Sequence, residues 1–124
     1  MKQAITASNA PKAIGPYSQA IRSGNLLFIS GQIPLDTEGN MVTGGIEAEA
    51  RQVLENIKAI LAEAGLNFSA VVRSTMYLSD LNDFSRANEI YGEYFPEPYP
   101  ARVTIQVAAL PKGALVEIET IAEV

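Results

Sequence analysis

An α+β fold, with a mostly antiparallel six-stranded sheet carrying two helices on one face, is predicted by three features of the sequence. The first is a pair of short apolar runs around a Ser-Gly-Asn turn near the N-terminus. The second is a long segment, residues 46–64, whose apolar residues recur at helical spacing. The third is strict alternation of apolar and polar residues near the C-terminus. The predicted element order is β-β-β-α-β-α-β-β.

The first half of the chain supplies three strands and a helix. A short strand is predicted near residues 3–6, followed by strands at 20–22 and 26–30 that flank the turn. Residues 34–45 contain four glycine or asparagine residues and read as a loop. The first helix then extends to Ala64, with Gly65 suited to its C-terminal cap and Glu47 and Arg51 forming an i,i+4 pair.

The second half alternates strand, helix and two strands. Residues 70–78 are rich in Val, Thr and Tyr and predict a strand. A second helix is expected from about Asp83 to Phe95, with capping candidates at 79–82, and the prolines at 96, 98 and 100 end it. Residues 100–122 then predict a β-hairpin around the turn at 111–113.

This hairpin is where function is expected. In its first strand Val103, Ile105 and Val107 share one face, suited to a core, and Arg102, Thr104 and Gln106 share the other. The second strand likewise separates its apolar residues, Val116, Ile118 and Ala122, from Glu117, Glu119 and Glu123. By itself, the pattern favours the ordinary solvent-exposed side of a sheet over a functional face that carries an arginine and acidic groups.

The amino-acid composition excludes several kinds of catalytic and metal-binding chemistry. The 124 residues include no His and no Cys, which excludes imidazole relays, thiolate nucleophiles, disulfides and the usual zinc ligand sets within one chain. We expect one domain spanning residues 1–124, because 48% hydrophobic residues provide material for a single core.

Charge and hydropathy predict no nucleic-acid partner and no membrane. The formal net charge is −5, with scattered basic residues, and no segment resembles a signal peptide or a membrane span. A cytoplasmic protein is expected. With both helices on one sheet face, the other face is left uncovered, and such faces commonly pack against another subunit.

Seven sequence blocks together resemble the YjgF/YER/UK family, also called the Rid (reactive intermediate deaminase) family, and its RidA branch in particular. The resemblance covers nearly the whole chain. The blocks, in chain order, are residues 13–20 (AIGPYSQA), 29–34 (ISGQIP), 50–57 (ARQVLENI), 81–84 (LNDF), 100–102 (PAR), 110–113 (LPKG) and 116–119 (VEIE).

The resemblance implies a chorismate-mutase-like fold and a homotrimer with three clefts between subunits. In those clefts, 2-imino or 2-enamino acids released by pyridoxal-phosphate enzymes such as serine/threonine dehydratase would be hydrolysed to 2-keto acids and ammonia. The activity implied is that of a 2-iminobutanoate/2-iminopropanoate deaminase. It requires no metal and no organic cofactor.

The family's two principal site residues fall on Arg102 and Glu117. A guanidinium can hold a substrate carboxylate bidentately, although Arg102 could instead form an interface salt bridge. Glu117 could orient the attacking water and relay a proton to the departing nitrogen. Glu119 lies two residues away on the same predicted face and remains the rival carboxylate.

Further residues match the family's cleft. Tyr17 could cover the substrate or only pack at an interface. Ser30 and Gly31, with Gln32, match the cleft loop, where glycine allows a close approach of backbone to ligand or forms a plain bulge. Asn88 could line the site or be exposed on its helix. Thr104 stands where several relatives carry cysteine; it could donate a hydrogen bond or only fill space.

Other functions remain in competition with the enzyme. The same Arg102 cleft could serve a keto-acid-binding regulatory or chaperone-like module without turnover. Ribonuclease action is disfavoured by the acidic balance and the missing histidine. A chorismate mutase would need several cations for a dicarboxylate, and the sequence places only Arg102.

Overall fold

The computed structural model describes all 124 residues and contains six strands and two α-helices. The predicted order of elements is confirmed. The elements are β1 (Gln3–Ile5), β2 (Ala20–Ser23), β3 (Leu26–Gln32), α1 (Gly45–Glu63), β4 (Val71–Leu78), α2 (Phe84–Tyr94), β5 (Ala101–Gln106) and β6 (Val116–Glu123).

The strands form one mixed sheet in the order β1-β2-β3-β6-β4-β5. Four of its five neighbouring pairs are antiparallel, and only β4 and β5 run parallel. Parallel neighbours need a crossover connection, which α2 provides between β4 and β5. The mostly antiparallel α+β sheet predicted from the sequence is confirmed.

Both helices cover the same face of the sheet and enclose one core of 22 buried residues. α1 contributes the face predicted from its periodicity, with Val53, Leu54 and Ile57 fully buried. It ends where expected, because Gly65 adopts a positive φ of 76° that other residues rarely tolerate. Neither helix combines the length and the apolar character that a membrane crossing requires.

The predicted hairpin of residues 100–122 is wrong. β5 and β6 do not pair with each other, because β4 lies between them and hydrogen-bonds to both. Residues 111–113 form a short 3₁₀ turn within the connection. Each strand alternates as expected, but alternation does not reveal which strand is the neighbour.

The orientation of β5 is also opposite to the prediction. Arg102 and Thr104 stand beside Ser74 and Met76, two buried residues of the helix-covered face. The apolar side chains predicted for the core, those of Val103 and Ile105, are instead exposed on the open face. β5 is an edge strand beneath the aromatic side chains of α2, which cover Arg102 in place of aliphatic partners.

A buried glutamine fastens the N-terminal segment to the sheet. The Gln19 side chain is 4% exposed; its Oε1 accepts a hydrogen bond from the Ala7 N–H at 2.6 Å, and its Nε2 donates to the carbonyls of Ala7 and Pro11 at 3.2 and 2.8 Å. These bonds satisfy backbone groups that no strand pairs. They also fix the start of the loop that carries Tyr17.

Replacing this glutamine with leucine should destabilise the protein while leaving the sheet intact. Gln19→Leu keeps the volume but leaves a buried N–H and carbonyl without partners, so the free energy of unfolding should fall by about 2 to 4 kcal/mol. Urea denaturation measures the loss, and hydrogen exchange at Ala7 locates it. Unchanged stability together with unchanged Ala7 protection would contradict this role for the side chain.

Candidate functional site

Arg102 lies between β5 and α2 and has no acidic partner. Its Cζ stands 4.8 Å from the centre of the Tyr91 ring and 5.6 Å from that of Phe84. Its Nη1 donates a hydrogen bond to Asn88 Oδ1 at 2.8 Å. Two aromatic faces and a neutral amide therefore fix the guanidinium without neutralising its charge. Its remaining N–H groups are available to an anion.

A cleft of about 440 Å³ opens beside this guanidinium. Its lining comes from α2, from the loop that follows it and from the start of β5, and consists of Asn88, Tyr91, Gly92, Tyr99, Pro100 and Arg102. One charged group among aromatic and polar walls suits a small carboxylic acid.

Buried hydroxyls without partners lie close to Arg102. Ser74 Oγ, Tyr91 OH and Thr104 Oγ1 have no hydrogen-bond partner of good geometry within the chain. Burial raises the pKa of Tyr91, and the Ser74 hydroxyl and the Arg102 charge oppose that shift. Unpaired buried hydroxyls are costly, so these groups are suited to bonding a ligand or an ordered water.

Glu117 lies on the other face of the sheet, beside a bulge in β3. Ile29 pairs with Thr120 and Gln32 with Ile118, so Ser30 and Gly31 together stand opposite the single residue between them on β6. The bulge brings the Gly31 backbone against Glu117: a Cβ added at Gly31 would collide with Glu117 Oε2. The sequence left open whether this glycine only forms a bulge. In the structure it forms the bulge and also leaves room for the Glu117 carboxylate.

The two candidate carboxylates have different surroundings. Glu117 is half-buried and accepts no hydrogen bond within the chain, and burial, followed by the charge of Glu119, raises its pKa. Glu119 is exposed and accepts a hydrogen bond from the Tyr77 hydroxyl at 2.7 Å. Glu117 is therefore the carboxylate whose oxygens remain free.

The two remaining predicted residues lie near the bulge. Ser30 Oγ donates to the Ser18 carbonyl at 2.6 Å, so its proton is engaged within the chain. The Tyr17 side chain is exposed, and its hydroxyl accepts the Ile14 N–H at 3.3 Å. Tyr17 and Gly31 share a small pocket of about 60 Å³. Both residues thus belong to the neighbourhood of Glu117.

The seven predicted site residues fall into two groups on opposite faces of the sheet. Arg102, Asn88 and Thr104 form the first group, on the helix-covered face at the β5 edge. The second group gathers around the β3 bulge and comprises Tyr17, Ser30, Gly31 and Glu117. One chain does not bring its candidate cation and its candidate base together. No group of three or more acidic side chains converges to hold a metal ion.

Sequence reasoning missed three aromatic residues that shape these groups. Phe84 and Tyr91 support Arg102, and Tyr77 engages Glu119. Helical spacing offered a signal for the first two, because residues 84, 88 and 91 fall on one face of α2. Tyr77 gave no such signal, since its contact with β6 depends on the unexpected strand order.

Comparisons with known proteins agree with this architecture. The profile of the family described as Endoribonuclease L-PSP matches residues 7–124. A RutC family protein of Pyrococcus horikoshii is 58% identical over 123 residues, covering 98% of each chain. The human 2-iminobutanoate/2-iminopropanoate deaminase is 49% identical over 123 residues, covering 98% of this chain and 90% of its own.

A solved structure extends the likeness to three dimensions. The crystal structure of RidA from the Antarctic bacterium Psychrobacter sp. superposes with a TM-score of 0.94 at 48% identity, covering 98% of this chain and 99% of that one. The family match spans nearly all of the chain, and the sheet order and helix placement agree with it. The chain therefore belongs to the endoribonuclease L-PSP family, the YjgF/Rid family whose blocks its sequence carries.

Proposed function

We propose that this protein hydrolyses 2-imino and 2-enamino acids to 2-keto acids and ammonia, as a 2-iminobutanoate/2-iminopropanoate deaminase. The observation that carries the proposal is the state of Arg102, a guanidinium held over two aromatic rings beside a cleft and paired with no carboxylate. Such a group is ready to bind the carboxylate that every imino acid carries. The deaminase name of the human relative supports the same reaction class.

The proposal places the working site between two copies of the chain in a homotrimer. Arg102 and Glu117 lie on opposite sheet faces, so a substrate held by one can meet the other only if a second subunit supplies it. The open face offers an apolar surface for such contact: Phe28, Val103 and Ile105 are each about 40% exposed there.

The chemistry follows from these groups. Arg102 anchors the carboxylate, and Thr104 and Asn88 contribute polar contacts nearby. Glu117 of the adjoining subunit accepts a proton from a water molecule as the water oxygen adds to the imine carbon. The C–N bond of the resulting carbinolamine breaks as the nitrogen takes a proton, giving the ketone and ammonia. An enamine must first be protonated at carbon to become the imine.

Electrostatics favour Glu117 over Glu119 as the base. A base works best when its pKa lies near the working pH, and burial raises the pKa of Glu117 towards that range. Glu119 already accepts a hydrogen bond from the Tyr77 hydroxyl. The activity should therefore fall as the pH is lowered and Glu117 becomes protonated. This fall should occur at a higher pH than the titration of an exposed carboxyl group.

A keto-acid-binding module without turnover is the second candidate, because Arg102 and its cleft alone would bind such an acid. Ammonia release separates the two. We expect the protein to accelerate ammonia release from enzymatically generated 2-aminoacrylate above the spontaneous rate measured without protein. Binding of a 2-keto acid with no acceleration would favour the module.

Arg102→Lys should weaken both ligand binding and turnover. The lysine keeps the charge but loses the planar pair of donors and the stacking on Tyr91, so transition-state stabilisation should fall by about 2 kcal/mol or more. Calorimetry with 2-ketobutyrate and the kcat/KM for imine hydrolysis measure the two losses. The matched control is Arg22→Lys on exposed β2, which should leave both unchanged. Near-wild-type turnover by Arg102→Lys would place the carboxylate anchor elsewhere.

Glu117→Gln should slow the chemical step while preserving keto-acid binding. Loss of a positioned base should reduce single-turnover ammonia release by roughly 10²- to 10⁴-fold, whereas the matched variant Glu119→Gln, which leaves the base in place, should reduce it by no more than about 10-fold. A larger defect in Glu119→Gln would reverse the assignment of the two carboxylates.

Glu117→Gln should also have a larger free energy of unfolding than the wild type at pH 8. Because burial raises the pKa of folded Glu117, ionising it costs folding free energy once the pH exceeds the unfolded carboxyl pKa, and the full cost applies above the folded pKa. Glu117→Gln removes that cost, so its advantage should shrink as the pH is lowered through this window. Equal stability of the two proteins at pH 8 and at pH 4 would contradict the desolvation of Glu117.

A further inference from the structure

Tyr77 lies beside both candidate carboxylates on the open face of the sheet. It belongs to β4, which pairs with β6 so that Tyr77 stands directly opposite Glu117 and Thr75 opposite Glu119. The Tyr77 ring is therefore the immediate neighbour of one carboxylate and the diagonal neighbour of the other, a distance that a long aromatic side chain can span.

The Tyr77 hydroxyl bonds to its diagonal neighbour, Glu119. Tyr77 OH donates to Glu119 Oε1 at 2.7 Å, and Glu117 receives no hydrogen bond from any residue of the chain. The bond to Glu119 is the first cause, and burial the second, that raises the pKa of Tyr77. The phenol therefore keeps its proton and remains a donor throughout the neutral pH range.

Few other charged or titratable groups surround the pair. β4 contributes Arg73, which lines an open-face pocket together with Glu119. β3 contributes none, because Leu26–Gln32 contains no charged residue. The loop before β2 brings Lys12 and Tyr17 to the pocket beside Gly31. Within the chain, Tyr77 is the one side chain that hydrogen-bonds to either carboxylate.

From this arrangement we propose that Tyr77 is a positioning residue of the imine-hydrolysis site: by engaging Glu119, it makes Glu117 the carboxylate that exchanges protons with water and substrate. The proposal rests on the function proposed above and adds to it a residue that touches neither substrate nor the reacting atoms.

The physical consequence concerns the charge that one carboxylate presents to its neighbour. The hydrogen bond from Tyr77 holds the Glu119 carboxylate in a fixed position on the open face, next to Glu117. Burial is the main reason that the pKa of Glu117 is raised, and the charge of Glu119 is the second. By fixing the place of that charge beside Glu117, Tyr77 sets how strongly Glu119 acts on its neighbour.

Tyr77→Phe removes the hydroxyl and keeps the ring. Without the donor, the exposed Glu119 carboxylate is free to turn into solvent, where water screens its charge, and the midpoint at which Glu117 titrates should move to lower pH. The kcat at neutral pH should fall by about 3- to 10-fold because the base is weaker, while KM should stay within about twofold because Arg102 is untouched. A purely structural role would not shift the acid limb of the pH profile.

The chain offers a matched control in Tyr94→Phe. Tyr94 OH donates to Glu55 Oε2 at 2.8 Å, a tyrosine–glutamate bond of the same kind between the two helices. This variant should leave the Glu117 midpoint, kcat and KM unchanged. A Glu119→Gln background is the second control, because in it Tyr77→Phe should have no further effect on Glu117.

The decisive readout is a carbon-13 NMR titration of the glutamate side-chain carboxyls, run beside the pH–rate profile. A downward shift of the Glu117 midpoint in Tyr77→Phe, absent in Tyr94→Phe and absent in the Glu119→Gln background, supports the proposal. An unchanged midpoint, or a shift that persists without Glu119, overturns it. The titration needs no turnover, so a wild-type protein without imine hydrolysis would remove the proposed function, and the NMR result would still decide what Tyr77 does to the pair.

Discussion

β4 separates β5 from β6, and the proposed chemistry depends on that separation. Because β4 pairs parallel with β5 and antiparallel with β6, the residues that alternate along each strand are assigned to fixed faces. Arg102 is directed to α2, and Glu117 to the open face beside the β3 bulge. A single chain thus keeps the Arg102 guanidinium and the Glu117 carboxylate apart, which prevents them from neutralising each other. Because neither face carries both groups, the proposed reaction needs a second copy of the chain.

The two halves are prepared by different physical means. Arg102 is held by aromatic rings and one amide, which orient a cation without cancelling its charge. Glu117 is prepared by burial and by a neighbouring anion, which raise its pKa and suit it to proton transfer. Polar groups outside the site support both arrangements: Gln19 fixes the loop that leads to Tyr17, and Tyr77 engages the second carboxylate.

Much of the fold could be predicted from the sequence, because helical spacing, glycine turns and strand alternation are local signals. The extent of α1, its end at Gly65 and the element order were all accessible in this way. The hairpin prediction failed because pairing is a non-local property: nothing between Arg102 and Glu117 indicates that β4 inserts between their strands. For the same reason, the two faces of β5 were predicted the wrong way round. An edge strand under aromatic side chains can direct an arginine towards the helices.

From the sequence, the candidate site is a set of residues without a spatial arrangement. The family blocks identified Arg102, Glu117 and the residues around Gly31, yet they gave no reason to divide them between two faces. The choice between Glu117 and Glu119 also needed coordinates, because it depends on the bulge at Gly31 and on the reach of the Tyr77 hydroxyl. Both features arise from strand register, which a single sequence does not reveal.

Complementation between two defective chains tests the central claim most directly. Chains carrying Arg102→Lys and chains carrying Glu117→Gln would be unfolded together, refolded as mixed oligomers and checked by light scattering and mass spectrometry. If each site takes its arginine from one subunit and its glutamate from another, random mixing of equal amounts should restore about a quarter of the wild-type ammonia release. Mixed oligomers no more active than the two variants refolded separately would contradict a site shared between subunits.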